Sequence, residues 1–273
     1  MIFLKKYPLL FLLALGVLVL FTVVAFLPTP HDYNHQDLLK RFVPPFFKDG
    51  SDFLYPLGTD HLGRDMLSRI MAGIKISYFI ALSGTFVGAV IGTLLGFTAV
   101  RFRGIVDEII MGMVDTQASL PFIIIAIALL SVIESSFLVI VVLLGVAGWE
   151  KYARLTRGLS LSAVTHGYAR AVSSLGASQG RILFIHILPN ISSALIVNMT
   201  LNFPGTMIAE SSLSFLGLGI QPPLVSLGRL LGEGRVYLLT AWWVTVFPGI
   251  VIFISTLAMT IIGDWVRDRI GTE

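Results

Sequence analysis

Four stretches of this sequence run for 25 residues or more without a single Asp, Glu, Lys or Arg: residues 7–31, 76–100, 182–209 and 236–263. A helix needs about 20 apolar residues to cross roughly 30 Å of hydrocarbon, and in lipid its backbone polar groups must all be paired internally. Two shorter uncharged runs, 116–133 and 135–149, raise the expected number of crossings to six. The last of these, at 15 residues, completes a span only if its helix continues past Glu150. Composition agrees: 55% of residues are hydrophobic and 13% charged, whereas a soluble domain has about 25% charged. The chain contains no cysteine, which excludes disulfides, thiolate metal sites and cysteine nucleophiles.

Basic residues set the orientation. With six crossings, Lys5, Lys6, Arg101, Arg103, Lys151, Arg154, Arg157, Arg170, Arg181, Arg267 and Arg269 fall on one face, eleven of the nineteen Lys and Arg in the chain. Short basic loops stay cytoplasmic, so both termini are expected inside. Val23 and Ala25 offer a weak signal-peptide cleavage pattern, but the apolar run before them exceeds the ~15 residues of a signal h-region, so a retained span is the expectation.

Two parts are expected within one membrane unit. Residues 1–75 would hold the first span, an outer loop and an interfacial helix; residues 76–273 would hold five spans and a cytoplasmic segment at 150–189. In the outer part, Thr59 or Asp60 is suited to cap a helix in which Leu62, Met66, Ile70 and Ile74 recur at four-residue intervals and Asp65 pairs with Arg69. The stretch 150–189 reads as short helices interrupted near Gly158, Gly167, Gly176 and Pro189.

Inside the spans, Gly84, Gly88, Gly92 and Gly96 strip side chains from one helix face and let a second helix approach closely, as a fixed seam or a sliding one. Glu210 ends the fifth run; an ionisable group there must face protein or water, so it lines a path, pairs with a neighbouring helix or lies near the outer interface. Asp115 poses the same question and is read as structural. The glycines and paired prolines of Leu213–Pro223 end that helix, Arg229, Glu233 and Arg235 belong to outer or re-entrant structure, and Trp242 and Trp243 are expected as interfacial anchors.

Several chemistries are missing. No phosphate-binding G-x-x-x-x-G-K-[ST] loop occurs, so the chain is not expected to bind or hydrolyse ATP itself. His31 and His35 have the spacing of a helical metal pair, but prolines flank them and the zincin glutamate is absent, so no metal site is expected. No G-x-S-x-G elbow is present, and basic residues dispersed among membrane flanks argue against nucleic-acid binding.

Tyr168-Ala169-Arg170-Ala171-Val172-Ser173-Ser174-Leu175-Gly176-Ala177-Ser178, followed by Ile185-His186-Ile187-Leu188-Pro189-Asn190, resembles the E-A-A-x-x-x-G-x(9)-I-x-L-P loop of binding-protein-dependent ABC import permeases. Ala171, Gly176, Leu188 and Pro189 fall in register, while Arg170, Val172 and His186 replace the glutamate, second alanine and isoleucine, departures that resemble the peptide-type branch. Pro56–Asp65 and Ala209–Pro223 resemble the second permease subunit of dipeptide, oligopeptide and nickel importers. Leu224–Gly228 departs by lacking the tryptophan usual before the glycine.

The resemblance implies an all-α membrane protein with the type I ABC importer permease fold, in a bacterial or archaeal cytoplasmic membrane. It implies a second, homologous permease, two cytoplasmic ATPases that carry ATP and Mg²⁺, and an extracytoplasmic solute-binding protein. Tyr168, Arg170, Ala171, Val172, Leu175, Gly176, Ala177, Ser178, Leu188 and Pro189 would form the loop that docks on an ATPase. Peptides are the implied cargo, with nickel, metal chelates, glutathione and opines as alternatives. A self-contained channel or ion-driven carrier would instead call for inverted repeats, which are not visible in the sequence.

Overall fold

The first uncharged run becomes α1 (Pro8–Phe26), whose leucines and valines are exposed on nearly every side. A helix apolar all round without a protein cover belongs in lipid. The structure, a computed structural model, describes residues 8–164 and 176–270. Among the described residues every regular element is helical, apart from one isolated bridge between Thr59 and Asp65.

The second run lies within α2 (Met66–Phe102), 37 residues long. Here the expectation of a separate interfacial helix is corrected. Asp65 caps α2 by accepting from Leu67 N and Ser68 N, and the helix then continues unbroken through residue 75, so the boundary drawn there falls inside one rigid element. Thr59 and Asp60 lie before it in an ordered outer loop, and Leu62 is not on the helix at all.

Beyond Arg103 the chain reverses into α3 (Gly104–Ser119), then bends by 92° into α4 (Phe122–Leu130). Pro121 explains the break, because it has no N–H and forces the residue before it out of the helical region. The third uncharged run therefore ends in the second arm of a bent pair whose first arm carries Asp107, Glu108 and Asp115. The short fourth run reaches full length by extension: α5 (Phe137–Val164) passes through Glu150, Lys151, Arg154 and Gly158 without interruption. Gly158 does not break it.

The fifth run is α6 (Gln179–Phe215), whose segment Ile182–Ile187 is a widened π-helical turn. Pro189 accounts for it, since its ring crowds the carbonyl of Ile185 and it cannot donate in the α ladder. After the turn at Gly217 come α7 (Leu227–Gly234) and α8 (Trp243–Ile270). Among the described residues four helices, α1, α2, α6 and α8, are long and apolar enough to cross a membrane, and the bent α3–α4 pair makes a fifth if it counts as one span. The sixth, α5, carries too many charges for that test, yet it lies against α2 from Leu144 to Arg157 and so occupies the same depth.

That contact is the glycine seam. A Cβ on Gly84 would stand 3.0 Å from Leu144 Cβ, one on Gly88 2.9 Å from the Gly145 carbonyl oxygen, and one on Gly96 2.8 Å from that of Ala153; Gly92 presses on the Trp149 carbonyl. No larger residue fits unless the helices separate. Such close backbone approach replaces the hydrophobic effect, which gives little inside lipid, with van der Waals contact. On the other side α1 rests on α8, where Phe11 stacks on Trp265 at 4.0 Å.

Candidate functional site

The outer loop is fastened to the helices by ions. Arg69, 2% exposed, holds Asp60 and also Glu233 at 3.0 Å. Arg64 reaches Asp60 at 2.7 Å and Glu233 at 3.0 Å, and Arg229 reaches Glu233 at 2.7 Å. The expected Asp65–Arg69 pair does not form; Asp65 instead caps α2 and stands 3.4 Å from His31 Nδ1. Burial pushes the Asp60 and Glu233 carboxyls up, but the surrounding guanidinium groups outweigh it and hold both below the usual carboxylate range. Trp243, expected as an interfacial anchor, is buried, and its indole donates to the Thr59 carbonyl at 3.1 Å. The α7 segment, with Arg229 and Glu233, thus belongs to an outer cap over the ends of α2 and α8.

Glu210, one of the two candidate intramembrane groups, is fully buried in α6 rather than facing an opening. It accepts from Ser214 Oγ at 2.7 Å, Ser77 Oγ at 3.2 Å and Ser211 Oγ at 3.5 Å, and Ser77 in turn accepts from Leu227 N at 3.1 Å. The cluster ties α6 to α2 and α7. Its neighbours Ser77 and Ser226 carry no signal in the sequence, because serines far apart reveal a shared partner only once the chain has folded.

Asp115 is 72% exposed and pairs with Arg154 at 2.8 Å, joining α3 to α5; nearer the inner end Arg157 grips Asp107 at 2.5 Å and 2.6 Å. Lys151 and Arg154, expected on the cytoplasmic face, lie on the continuous α5. Lys151 lies 14 residues from Phe137, ~21 Å along the helix. Beside it open two clefts of about 190 and 250 Å³. One is lined by Thr85, Gly148, Lys151, Tyr152, Asn202 and Thr206, the other by Gln117, Phe122, Glu150 and Lys151. Gln117 orients that wall, accepting from Trp149 Nε1 at 2.6 Å and donating to the Val146 carbonyl at 2.6 Å. A charge facing acyl chains costs several kcal/mol, so a face presenting Asp115, Lys151 and Arg154 is covered by water or by protein.

Of the expected docking loop, Tyr168, Arg170, Ala171, Val172 and Leu175 lie outside the described residues. Gly176 follows at φ +84°, a left-handed conformation that favours glycine, with open space around it. Ala177 is partly buried, Ser178 Oγ accepts from Arg181 N at 3.3 Å, and Leu188 and Pro189 lie just after the π turn.

This architecture is that of an ABC importer's membrane subunit. It is similar to a chain of the inward-facing MetNI methionine ABC transporter, with a TM-score of 0.59 and 20% identity over 74% of this chain and 97% of that one. The family described as binding-protein-dependent transport system inner membrane component matches residues 84–272, and the chain belongs to that family. It is 34% identical to the di/tripeptide transport system permease protein of Pseudomonas aeruginosa (89% of this chain, 80% of that one) and 32% identical to the dipeptide transport system permease protein of Haemophilus influenzae (94% and 87%). The glutathione transport system permease protein of Pectobacterium atrosepticum is 37% identical (82% and 75%).

Proposed function

We propose that this chain is one of two permease subunits of an ATP-driven importer of di- and oligopeptides. The observation that carries this reading is end-to-end similarity to dipeptide permeases, which spans the outer cap as well as the helices. A second, homologous permease covers the polar face of α3 and α5, and the two line a path whose access alternates between the membrane faces. Cargo arrives from an extracytoplasmic solute-binding protein. Two cytoplasmic ATPases bind ATP and Mg²⁺ and drive the cycle; this chain contributes no nucleotide site.

Both termini are cytoplasmic in this reading, so the segment that ends at Gly176 and leads into α6 meets an ATPase. Residues 168–175 supply the contact to the ATPase in this reading, Gly176 lets the chain turn back, and α6 conveys the movement toward the Glu210 cluster and the outer cap. The long, closely packed α2–α5 pair would move as one body, since interdigitated backbones resist relative sliding. Glutathione is the second cargo reading, favoured by the similarity to a glutathione permease.

Competition for uptake in the assembled complex tests the cargo. Labelled dipeptide transport should be reduced by excess unlabelled dipeptide or longer peptide and unaffected by Ni²⁺. Competition by glutathione alone would support the second reading, and uptake of none of these would overturn both.

A further inference from the structure

We propose that Lys151, with Tyr152 beside it, is a carboxylate-binding station on α5 that holds the free C-terminal carboxylate of a passing peptide; this rests on the importer reading above.

Lys151 has the charge and the place. Its side chain is exposed at mid-helix, and among the described residues it makes no hydrogen bond or ion pair. Other cations near it are engaged: Arg154 with Asp115 and Arg157 with Asp107. An ammonium facing acyl chains is costly, so water, a ligand or a protein neighbour supplies its counter-charge. Lys151 is among the lining residues of both clefts.

Tyr152 supplies the second observation. It is 1% exposed and lines the first cleft, and its hydroxyl, next to the Asn202 side chain, completes no hydrogen bond of normal geometry. A buried donor without a partner is uncommon and costs free energy until something accepts from it. Thr85 and Thr206 lie within hydrogen-bond distance of each other, at 3.2 Å, on the far wall. Gly148 and Gly205 leave open space where side chains would stand, so the backbone of a small ligand can approach. A cation, a phenol and two side-chain-free positions suit a carboxylate attached to a peptide unit. Glu150, lining the second cleft, opposes entry of a bare anion and suits a zwitterion.

The test uses the full complex reconstituted in liposomes, with probes Ala-Ala and its C-terminal amide, each scaled by its separately measured affinity for the solute-binding protein. Lys151→Gln should lower uptake of Ala-Ala about tenfold or more, the usual cost of losing a charged hydrogen-bond partner. Uptake of the amide should change little, and Lys151→Arg should restore the free acid. Equal losses for both peptides, or no loss, would overturn carboxylate capture. The cysteine-free chain permits an independent check that needs no cargo. In Lys151→Cys, position 151 should react with the membrane-impermeant reagent sulfonatoethyl methanethiosulfonate and be protected by Ala-Ala. Labelling by N-ethylmaleimide alone, or by neither reagent, would place residue 151 at a lipid or subunit contact and overturn the station. Import of neither peptide by the wild type would overturn the cargo reading alone, with the labelling still deciding whether Lys151 faces water.

Discussion

Glu233→Gln removes one negative charge from among three guanidinium groups while nearly preserving shape. In the native cap, Arg64, Arg69 and Arg229 share two carboxylates; in the variant only Asp60 remains. Arg69 and Asp60 are 2% and 1% exposed, so solvent cannot replace the missing partner, whereas Glu233 at 20% exposure admits some screening. Removing one member of a buried ion pair costs ~3–5 kcal/mol, and partial exposure places this one near ~3 kcal/mol, roughly a hundredfold in the docking equilibrium of the outer loop. Trp243, hydrogen-bonded to the Thr59 carbonyl, reports docking through its fluorescence, and limited proteolysis between residues 28 and 63 reports it independently. Because the cost arises from three guanidinium groups left to share one carboxylate, the double variant Arg69→Met/Glu233→Gln should be less destabilised than the two single effects added together. Additive effects, or a loss below ~1 kcal/mol in the single variant, would refute the reasoning.

Both carboxyls in this cap are held below their ordinary range, so they contribute stability above an unfolded pKa of ~4 and lose it as pH falls through the folded values; the carboxyl-linked change in Trp243 fluorescence should appear only below about pH 4, while His61, lowered by burial, adds a separate loss as pH falls below ~6.5. Gly92→Val should destabilise the α2–α5 pair by more than the ~1–3 kcal/mol typical of overpacking, while Gly205→Ala, at an open position, should be near neutral, as read from thermal unfolding in detergent. Ser77→Ala removes a donor to Glu210 and an acceptor for Leu227 N and should cost ~1–3 kcal/mol in the same assay. Gly176→Val, placing a β-branched side chain at φ +84°, should leave ATP hydrolysis in the complex but uncouple it from uptake; unchanged uptake would count against the docking role of this loop.

Uncharged length made the crossings legible in the sequence, because lipid imposes one simple rule on backbone hydrogen bonding. The glycine seam was legible for a similar reason: a four-residue repeat fixes a helix face, although only the fold reveals that Leu144 to Arg157 lies opposite. The polar wall that carries Lys151 and Arg154 was less legible, since a run that stops at Glu150 does not reveal a helix continuing to Val164. Asp60, Arg64, Arg69 and Glu233 came together across 170 residues, a pairing that local spacing cannot show, and the nearby Asp65–Arg69 spacing suggested a pair that tertiary contacts displaced. Trp243 read as an anchor from its position at a span end, but the folded outer loop covers it.

ATP-dependent uptake of a labelled dipeptide into liposomes tests most directly whether this chain is a subunit energised by others. Liposomes holding both permeases, the ATPases and the loaded binding protein should accumulate dipeptide only when ATP is supplied, and omitting this chain should abolish accumulation. Accumulation by this chain alone, or undiminished accumulation in its absence, would contradict that role.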